Sequence, residues 1–361
     1  MRHLELHILQ SVPVACLNRD DFGSPKTALF GNVQRARVSS QCWKCAVREL
    51  MQEEAPALFG GQRTRYILTP LADRLHELHG FSLEDARKGA EELGAVINKL
   101  DIQHNSSKKR KKADTEQDIA ESAPRRIKTL FFTSPLELDA LAAAYASTGN
   151  ASKAVKELAK NLLKDAADIA LFGRMVANDQ SLKLEGAAMF SHALSTHKIS
   201  NEIDFFAAVD DLQPDDESGA AITGTLEFNS ATYYRFAALN LDLLAQHLSA
   251  LSVEERREVV RNFVTATLRA VPGARKNSMN AATLPSHVLA VVREKGHPVQ
   301  LVNAFEKPVW TRGGLMEESV SQLEREYAHL KETWGLEAAL ECRMPELSLS
   351  ALLQEVEQHV R

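Results

Sequence analysis

Residues 34–48, QRARVSSQCWKCAVR, switch hydrophobic period within one short stretch. Over 34–40, Arg35 and Arg37 alternate with Ala36 and Val38, the period of a strand. Ser39 or Ser40 can then N-cap a helix that runs through Trp43, Ala46 and Val47. A strand that feeds straight into a helix restricts the chain to folds mixing the two. It predicts both arginines on one strand face, and Lys44 and Arg48, four apart, on one helix face. The free N–H groups at the helix start, two hydroxyls and the Gln41 amide predict an anion-binding corner.

Charge reinforces this. Residues 17–48 hold Arg19, Lys26, Arg35, Arg37, Lys44 and Arg48 against Asp20 and Asp21, a local charge of +4 in a chain of −5, so the remainder carries −9. A basic patch on an acidic protein points to a polyanion, and a nucleic-acid backbone is the polyanion that best fits this arrangement. A solvated basic face with an ordinary helix cap accounts for the same residues.

The chain of 361 residues, 44% hydrophobic and 25% charged, has material for a real core in one large domain with insertions or in two domains. It shows no apolar run of the roughly 20 residues a membrane span needs. MRHLELHILQ reads as a strand and not as a leader, so secretion is not expected. Cys16, Cys42, Cys45 and Cys342 are too few and scattered for a disulfide framework. The Cys42–Cys45 pair has the CxxC spacing but no second ligand pair for zinc, and reads as two small side chains on a helix.

Residues 2–11 predict a half-buried strand, with Leu4, Leu6 and Ile8 inward, His3, Glu5 and His7 outward, and Pro13 as its end. Helical spacing follows over 63–79, 82–100, 135 onward and 151–170, with caps at Ser82/Asp85 and Ser134-Pro135-Leu136-Glu137. His76 and His79 read as a surface pair. Residues 103–128 lack apolar periodicity and predict a mobile loop, whose basic run Lys108, Lys109, Arg110, Lys111 and Lys112 is a candidate DNA contact. Residues 168–177, 189–197 and 225–239 read as strands, and 204–212 as a short helix. A capping box at Ser252/Glu255 opens a helix to about Ala270. Residues 272–278 form a basic turn, 287–293 and 298–303 a hairpin, and 317–334 and 347–359 helices. A dispersed sheet with two long inserts predicts an α+β, RRM-like core, able to offer one open sheet face to single-stranded RNA.

HILQSVPVACLNRDDFGSPKTALFGNVQRARVSSQCWKCAVR resembles the N-terminal signature of the CasC family, the backbone subunits of the type I-E CRISPR Cascade complex. DIALFGRMVA, FSHALSTHKISNEIDFFAAVDDL, GTLEFNSATYYRFAALNLD and NAFEKPV extend the resemblance in order. It implies a modified RRM-like (ferredoxin-like) palm over 1–60, 166–194 and 226–361, a helical fingers insertion over 61–165, and a protruding thumb over 195–225. It implies that Arg19, Lys26, Arg35, Arg37, Ser39, Ser40, Gln41, Lys44 and Arg48 grip the guide-RNA backbone. Arg174 and Met175 would also contact the guide RNA, Met175 by stacking on its bases, with Arg275 and Lys276 as further phosphate contacts. The implied partners are guide RNA (crRNA), a target DNA strand, further copies of the chain and other Cascade subunits, in the cytoplasm, with no cofactor, metal or membrane. The basic loop and Cys45, where the family pattern has Arg, depart from that pattern.

No nucleotide-binding glycine motif or hydrolase motif is present. Asp20-Asp21 is the one candidate for chemistry, since two loop carboxylates can hold Mg²⁺ for phosphodiester cleavage. Related backbone subunits of type III complexes cleave target RNA with a loop aspartate. A turn with salt bridges to Arg19 or Lys26 explains the pair more simply, and a scaffold without catalysis is the expectation. A metal-dependent endonuclease and a general single-strand RNA binder are the alternatives.

Overall fold

The computed structural model describes residues 1–101, 126–159, 162–176, 178–208 and 222–361. In chain order its strands are β1 His3–Ala15, β2 Thr27–Phe30, β3 Val33–Val38, β4 Gln62–Thr64, β5 Leu100–Asp101, β6 Arg126–Ile127, β7 Phe131–Thr133, β8 Ala188–Phe190, β9 Ala193–Ser195, β10 Glu202–Ala208, β11 Ile222–Asn240, β12 His287–Arg293 and β13 Leu340–Met344. The first helices are α1 Ser40–Glu54, α2 Leu68–His79 and α3 Leu83–Ile97. The chain forms two compact units, one from Met1–Glu54, Ala188–Leu243 and Arg257–Arg361, the other from Ala55–Ala187 and Leu244–Arg256.

The first unit is built on an antiparallel sheet in the order β13-β12-β1-β11-β9-β3-β2. This is the expected α+β, RRM-like architecture. β1 is central, paired from His3↔Asn240 on one side and from His3↔Arg293 on the other. Both its faces are covered. On one, Leu9, Tyr234, Phe236, Leu289 and Val291 pack with Leu301, Phe305 and the helix Leu315–Trp334 through Leu323 and Tyr327. On the other, Trp43 of α1 packs with Val12, Ala36, Val38 and Tyr233.

This corrects two expectations. The strand is not half-buried, because His3, Glu5 and His7 lie inside. Nor do its faces leave a platform open for RNA. The inward polar groups answer one another. Arg293 Nε lies 2.8 Å from Glu5 Oε1, His7 Nε2 lies 3.4 Å from Glu5 Oε2, and His7 Nδ1 lies 3.0 Å from the Tyr234 hydroxyl. Pro13 does not end the strand. It sits in the irregularity between Val12 and Ala15, where no ladder N–H is required.

Several other elements differ from the sequence reading. Residues 167–172 form a short helix, Ala167–Phe172, closed by Gly173 at φ 78°, not a strand. A brief apolar run carries no period to separate the two states. The 151–170 helix is two pieces, because Ala151–Leu158 stops well before Ala167. Within 204–212, the described residues extend as β10, paired with β11 from Glu202↔Phe228 to Ala208↔Ile222. Residues 298–303 form no hairpin with β12, whose partners are β1 and β13. The 189–197 strand is broken into β8 and β9 around Ser191 and His192.

β11 serves two purposes. Residues 231–240 are buried in the sheet, while 223–228 pair with β10 as an arm whose seven β10 residues are all exposed. Phe206 covers Gly224 across the arm, so a Cβ there would meet the ring at 2.6 Å. Ile203 and Phe205 stay 69% and 66% exposed.

The second unit packs α2 and α3 with the helices Pro135–Thr148 and Ala151–Leu158 around Leu71, Leu75, Leu93, Ile97, Leu141 and Val155. Its caps follow the sequence. The Ser82 hydroxyl accepts from the Asp85 N–H, and the Ser134 hydroxyl from the Glu137 N–H, with Pro135 in the first turn. Among the described residues no helix is long and apolar enough to cross a membrane.

Candidate nucleic-acid interface

In the first unit the expected strand-to-helix corner forms, but its N–H groups are not free: those of Ser39, Ser40 and Cys42 donate to Asn18 Oδ1, His192 Nδ1 and the Ser39 hydroxyl, so any anion grip there falls to side chains. The Ser39 hydroxyl accepts from the Cys42 N–H at 3.3 Å, so Ser39 is the cap and Ser40 opens α1. Asn18 fixes the approach, since its Oδ1 accepts from the Ser39 N–H at 3.0 Å. Trp43, Val47 and Met51 turn one stripe of α1 inward. Lys44 and Arg48 follow Trp43 and Val47 by one residue, which sets them about 100° around the helix. Both are half-buried, and Lys44 Nζ lies 5.9 Å from the Phe190 ring centroid.

β2 and β3 join through Gly31 and Asn32, both at φ 59°, the two-residue turn that matches strand twist. A Cβ on Gly31 would collide with the Glu306 carbonyl. The hairpin presents Lys26 and Arg37 together. The Arg37 N–H donates to the Lys26 carbonyl at 2.9 Å, and Arg37 Nε donates to the Thr27 carbonyl at 3.2 Å. Arg35 has a different fate. It is fully buried and donates to the carbonyls of Phe30, Ser195, Phe305 and Glu306. Strand alternation places it correctly, but the 301–306 segment covers that end of the face. Its guanidinium holds the fold and offers nothing to a ligand.

The loop ahead of β2 closes on itself. Asp20 Oδ1 accepts the N–H groups of Phe22 and Ser24 at 2.9 and 3.0 Å. Arg19 bridges to Pro25 and stays exposed. Leu17, Asn18, Arg19, Asp20, Asp21, Gly23, Cys42 and Ala274 line a shallow cleft of about 530 Å³. Arg275 stands at its edge with φ 54°, and it and Arg19 are the cations acting on the Cys16 thiol, which burial pushes up. Lys276 is exposed beside it. Burial likewise raises the Cys42 thiol to about 11, and Cys45 Sγ donates to Glu49 at 3.1 Å, so both thiols stay protonated at neutral pH. Gln41 is exposed at the first turn, within reach of the Ser40 hydroxyl.

Sequence reasoning missed His192. The break between β8 and β9 puts its Nδ1 3.0 Å from the Ser40 N–H, which donates to it. Burial, then Arg37 and Lys26, hold the ring below its ordinary pKa. The only signal was the FSH sequence inside an otherwise regular strand pattern.

Arg174 and Met175 belong to the second unit and part company there. Arg174 is not the RNA contact expected of it: it is buried, with Nη1 2.8 Å from both Glu137 oxygens and Nε donating to the Leu182 carbonyl, so its guanidinium is spent inside the fold. Met175 is 85% exposed and lines a cleft of about 420 Å³ with Arg63, Leu130, Phe132 and Lys183. The Arg63 guanidinium stacks 4.7 Å from the Phe132 centroid. These are flat, polarisable surfaces beside cations, a chemistry suited to unstacked bases. Lys108, Lys109, Arg110, Lys111 and Lys112 lie outside the described residues. Among the described residues no group of three His, Cys, Asp or Glu side chains is arranged to hold a metal ion.

The family model described as CT1975-like protein matches residues 4–358. No curated protein matches the chain. A chain of a structure described as a CRISPR RNA-guided surveillance complex, pre-nicking, is 28% identical, with a TM-score of 0.81 over 99% of this chain and 100% of its own. A chain of a second CRISPR RNA-guided surveillance complex is 25% identical, with a TM-score of 0.67 over 99% of each.

Proposed function

Because the chain belongs to the CT1975-like family of CRISPR-associated proteins, we propose that it is a guide-RNA (crRNA) binding backbone subunit of a type I-E Cascade surveillance complex. Copies polymerise along the RNA, grip its phosphates without regard to sequence and present its bases to a target DNA strand. The observation that carries this reading is the placement of Lys26 and Arg37 together on the hairpin that leads into α1, with Lys44 and Arg48 along that helix, in a chain similar along its length to chains of surveillance complexes. Phosphate contacts of this kind give affinity and register but carry no base information. The projecting β10–β11 arm, with Ile203 and Phe205 exposed, is the thumb that reaches a neighbouring copy.

In this reading the subunit is a scaffold and not a nuclease. Asp20 Oδ1 is already committed to two backbone N–H groups, which supports a loop-closing role. Protein purified from its host should carry RNA of one defined length together with partner subunits. RNA of random length, or none, contradicts the assignment. Incubation with RNA and Mg²⁺ should yield no cleavage. Cleavage that vanishes in Asp20→Ala or Asp21→Ala would establish the endonuclease instead.

A further inference from the structure

His192 lies in the gap between β8 and β9, on the rim of the corner formed by Lys26, Arg37 and the start of α1. Its tautomer is set by its partner. A backbone amide can only donate, so the Nδ1 that takes the Ser40 N–H must carry a lone pair. The one ring proton of the neutral imidazole is then on Nε2. Protonating Nδ1 as well would set two N–H groups against each other. Arg37 and Lys26, the charged groups that act on the ring, oppose a further positive charge. The residue is exposed, and its Nε2 has no hydrogen-bond partner among the described residues. Nε2 lies across the ring from the atom held by α1.

We propose that His192 Nε2–H is an uncharged hydrogen-bond donor to a phosphate oxygen of the bound RNA backbone, beside the charges of Arg37 and Lys26. The proposal rests on the reading of this surface as an RNA grip and adds to it a residue of a different kind. Lys26 and Arg37 supply charge that any nearby anion satisfies. The imidazole supplies a directed N–H on a ring pinned by Ser40, which fixes where one oxygen must sit.

A neutral donor has a signature that a cation lacks. It contributes to affinity but releases no counterion, so it leaves the salt dependence of binding unchanged. The full chain is titrated with one RNA of fixed length and sequence, at several salt concentrations. The proteins are wild type, His192→Asn, His192→Gln and the double variant Lys44→Ala with Arg48→Ala. Asn places an acceptor near the Nδ1 position but no donor at the Nε2 position. Gln carries an N–H out to where Nε2 was. His192→Asn should bind roughly fivefold more weakly, the value of one net hydrogen bond, with an unchanged slope and an unchanged thermal transition. His192→Gln should regain most of that loss. Wild-type affinity in the Asn variant, or equal losses in both variants, overturns the proposal. A slope shallower by about 0.7 in the Asn variant also overturns it, because the ring would then act as a cation. An unchanged slope in the Lys44/Arg48 variant is the separate result that would remove the RNA-grip reading itself.

Discussion

The guanidinium of Arg235 lies 3.7 Å from the ring centroid of Trp43, with both side chains buried. The contact joins β11 to α1, and Arg235 also donates to Gln10 Oε1 and the Thr267 carbonyl. Burial lowers its pKa to about 9, yet it remains charged at neutral pH. It therefore holds the helix that carries Lys44 and Arg48 against the sheet.

Replacing Trp43 with Ala should cost about 3–5 kcal/mol of stability, the usual loss for a large aromatic in a packed core. Arg235→Ala should cost a similar amount, because it strands two buried acceptors as well as emptying volume. Urea unfolding of the two single variants and the double variant measures both. Since the residues touch, the double variant should lose less than the sum. Strict additivity would show that the stack couples nothing.

Stability should also fall in acid through Glu324. Burial pushes its carboxyl up, but hydrogen bonds from His287 and Arg343 more than reverse this and hold it at about 2. A carboxyl depressed in the folded state stabilises above its ordinary pKa near 4.5 and loses that contribution as pH falls toward 2. The full contribution is roughly 3 kcal/mol, of which about 2 disappears between pH 5 and pH 3. The stability difference between wild type and Glu324→Gln should shrink by about that amount over this range. A difference independent of pH would contradict the assignment.

Adjacent residues in the second unit should behave oppositely. Arg174→Ala leaves Glu137 buried without its ion partner, which should cost about 3–5 kcal/mol. Met175→Ala removes a side chain that is already 85% exposed and should leave the thermal transition within about a degree, while weakening RNA binding. Calorimetry beside RNA titration separates the two effects. A destabilised Met175 variant, or one with unchanged RNA affinity, would remove it from the interface.

The exposed arm gives a further test. Ile203→Ser with Phe205→Ser changes residues that support no core, so folding should be unaffected. Multimers on RNA should shorten or disappear, as read by light scattering. Multimers of wild-type size would show that the arm does not join copies.

The sequence revealed those elements whose signals are local. The Ser39 cap, the Ser134-Pro135-Glu137 helix start and the reciprocal Ser252–Glu255 box all form, the last with hydrogen bonds in both directions. What failed depends on partners far along the chain. β10 is a strand because residues 222–228 lie beside it. His3, Glu5 and His7 are inside because the helix Leu315–Trp334 covers a face that alternation alone reads as wet. Charge identified the basic stretch but not its sorting. Arg35 and Arg174 become internal struts, while Arg37 and Met175 stay accessible, and nothing in the neighbouring residues separates the pairs. His192 acts through Ser40, which is 152 residues away.

In the proposed role α1 grips an RNA backbone through Lys44 and Arg48. Each phosphate neutralised on a single strand contributes about −0.7 to the slope of log affinity against log salt. Wild type and the Lys44→Ala, Arg48→Ala double variant should therefore be titrated with two unrelated RNAs of equal length across a salt series. The double variant should show a slope shallower by about 1.4, with similar losses for both RNAs and an intact fold. An unchanged slope, or a loss confined to one RNA sequence, would contradict it.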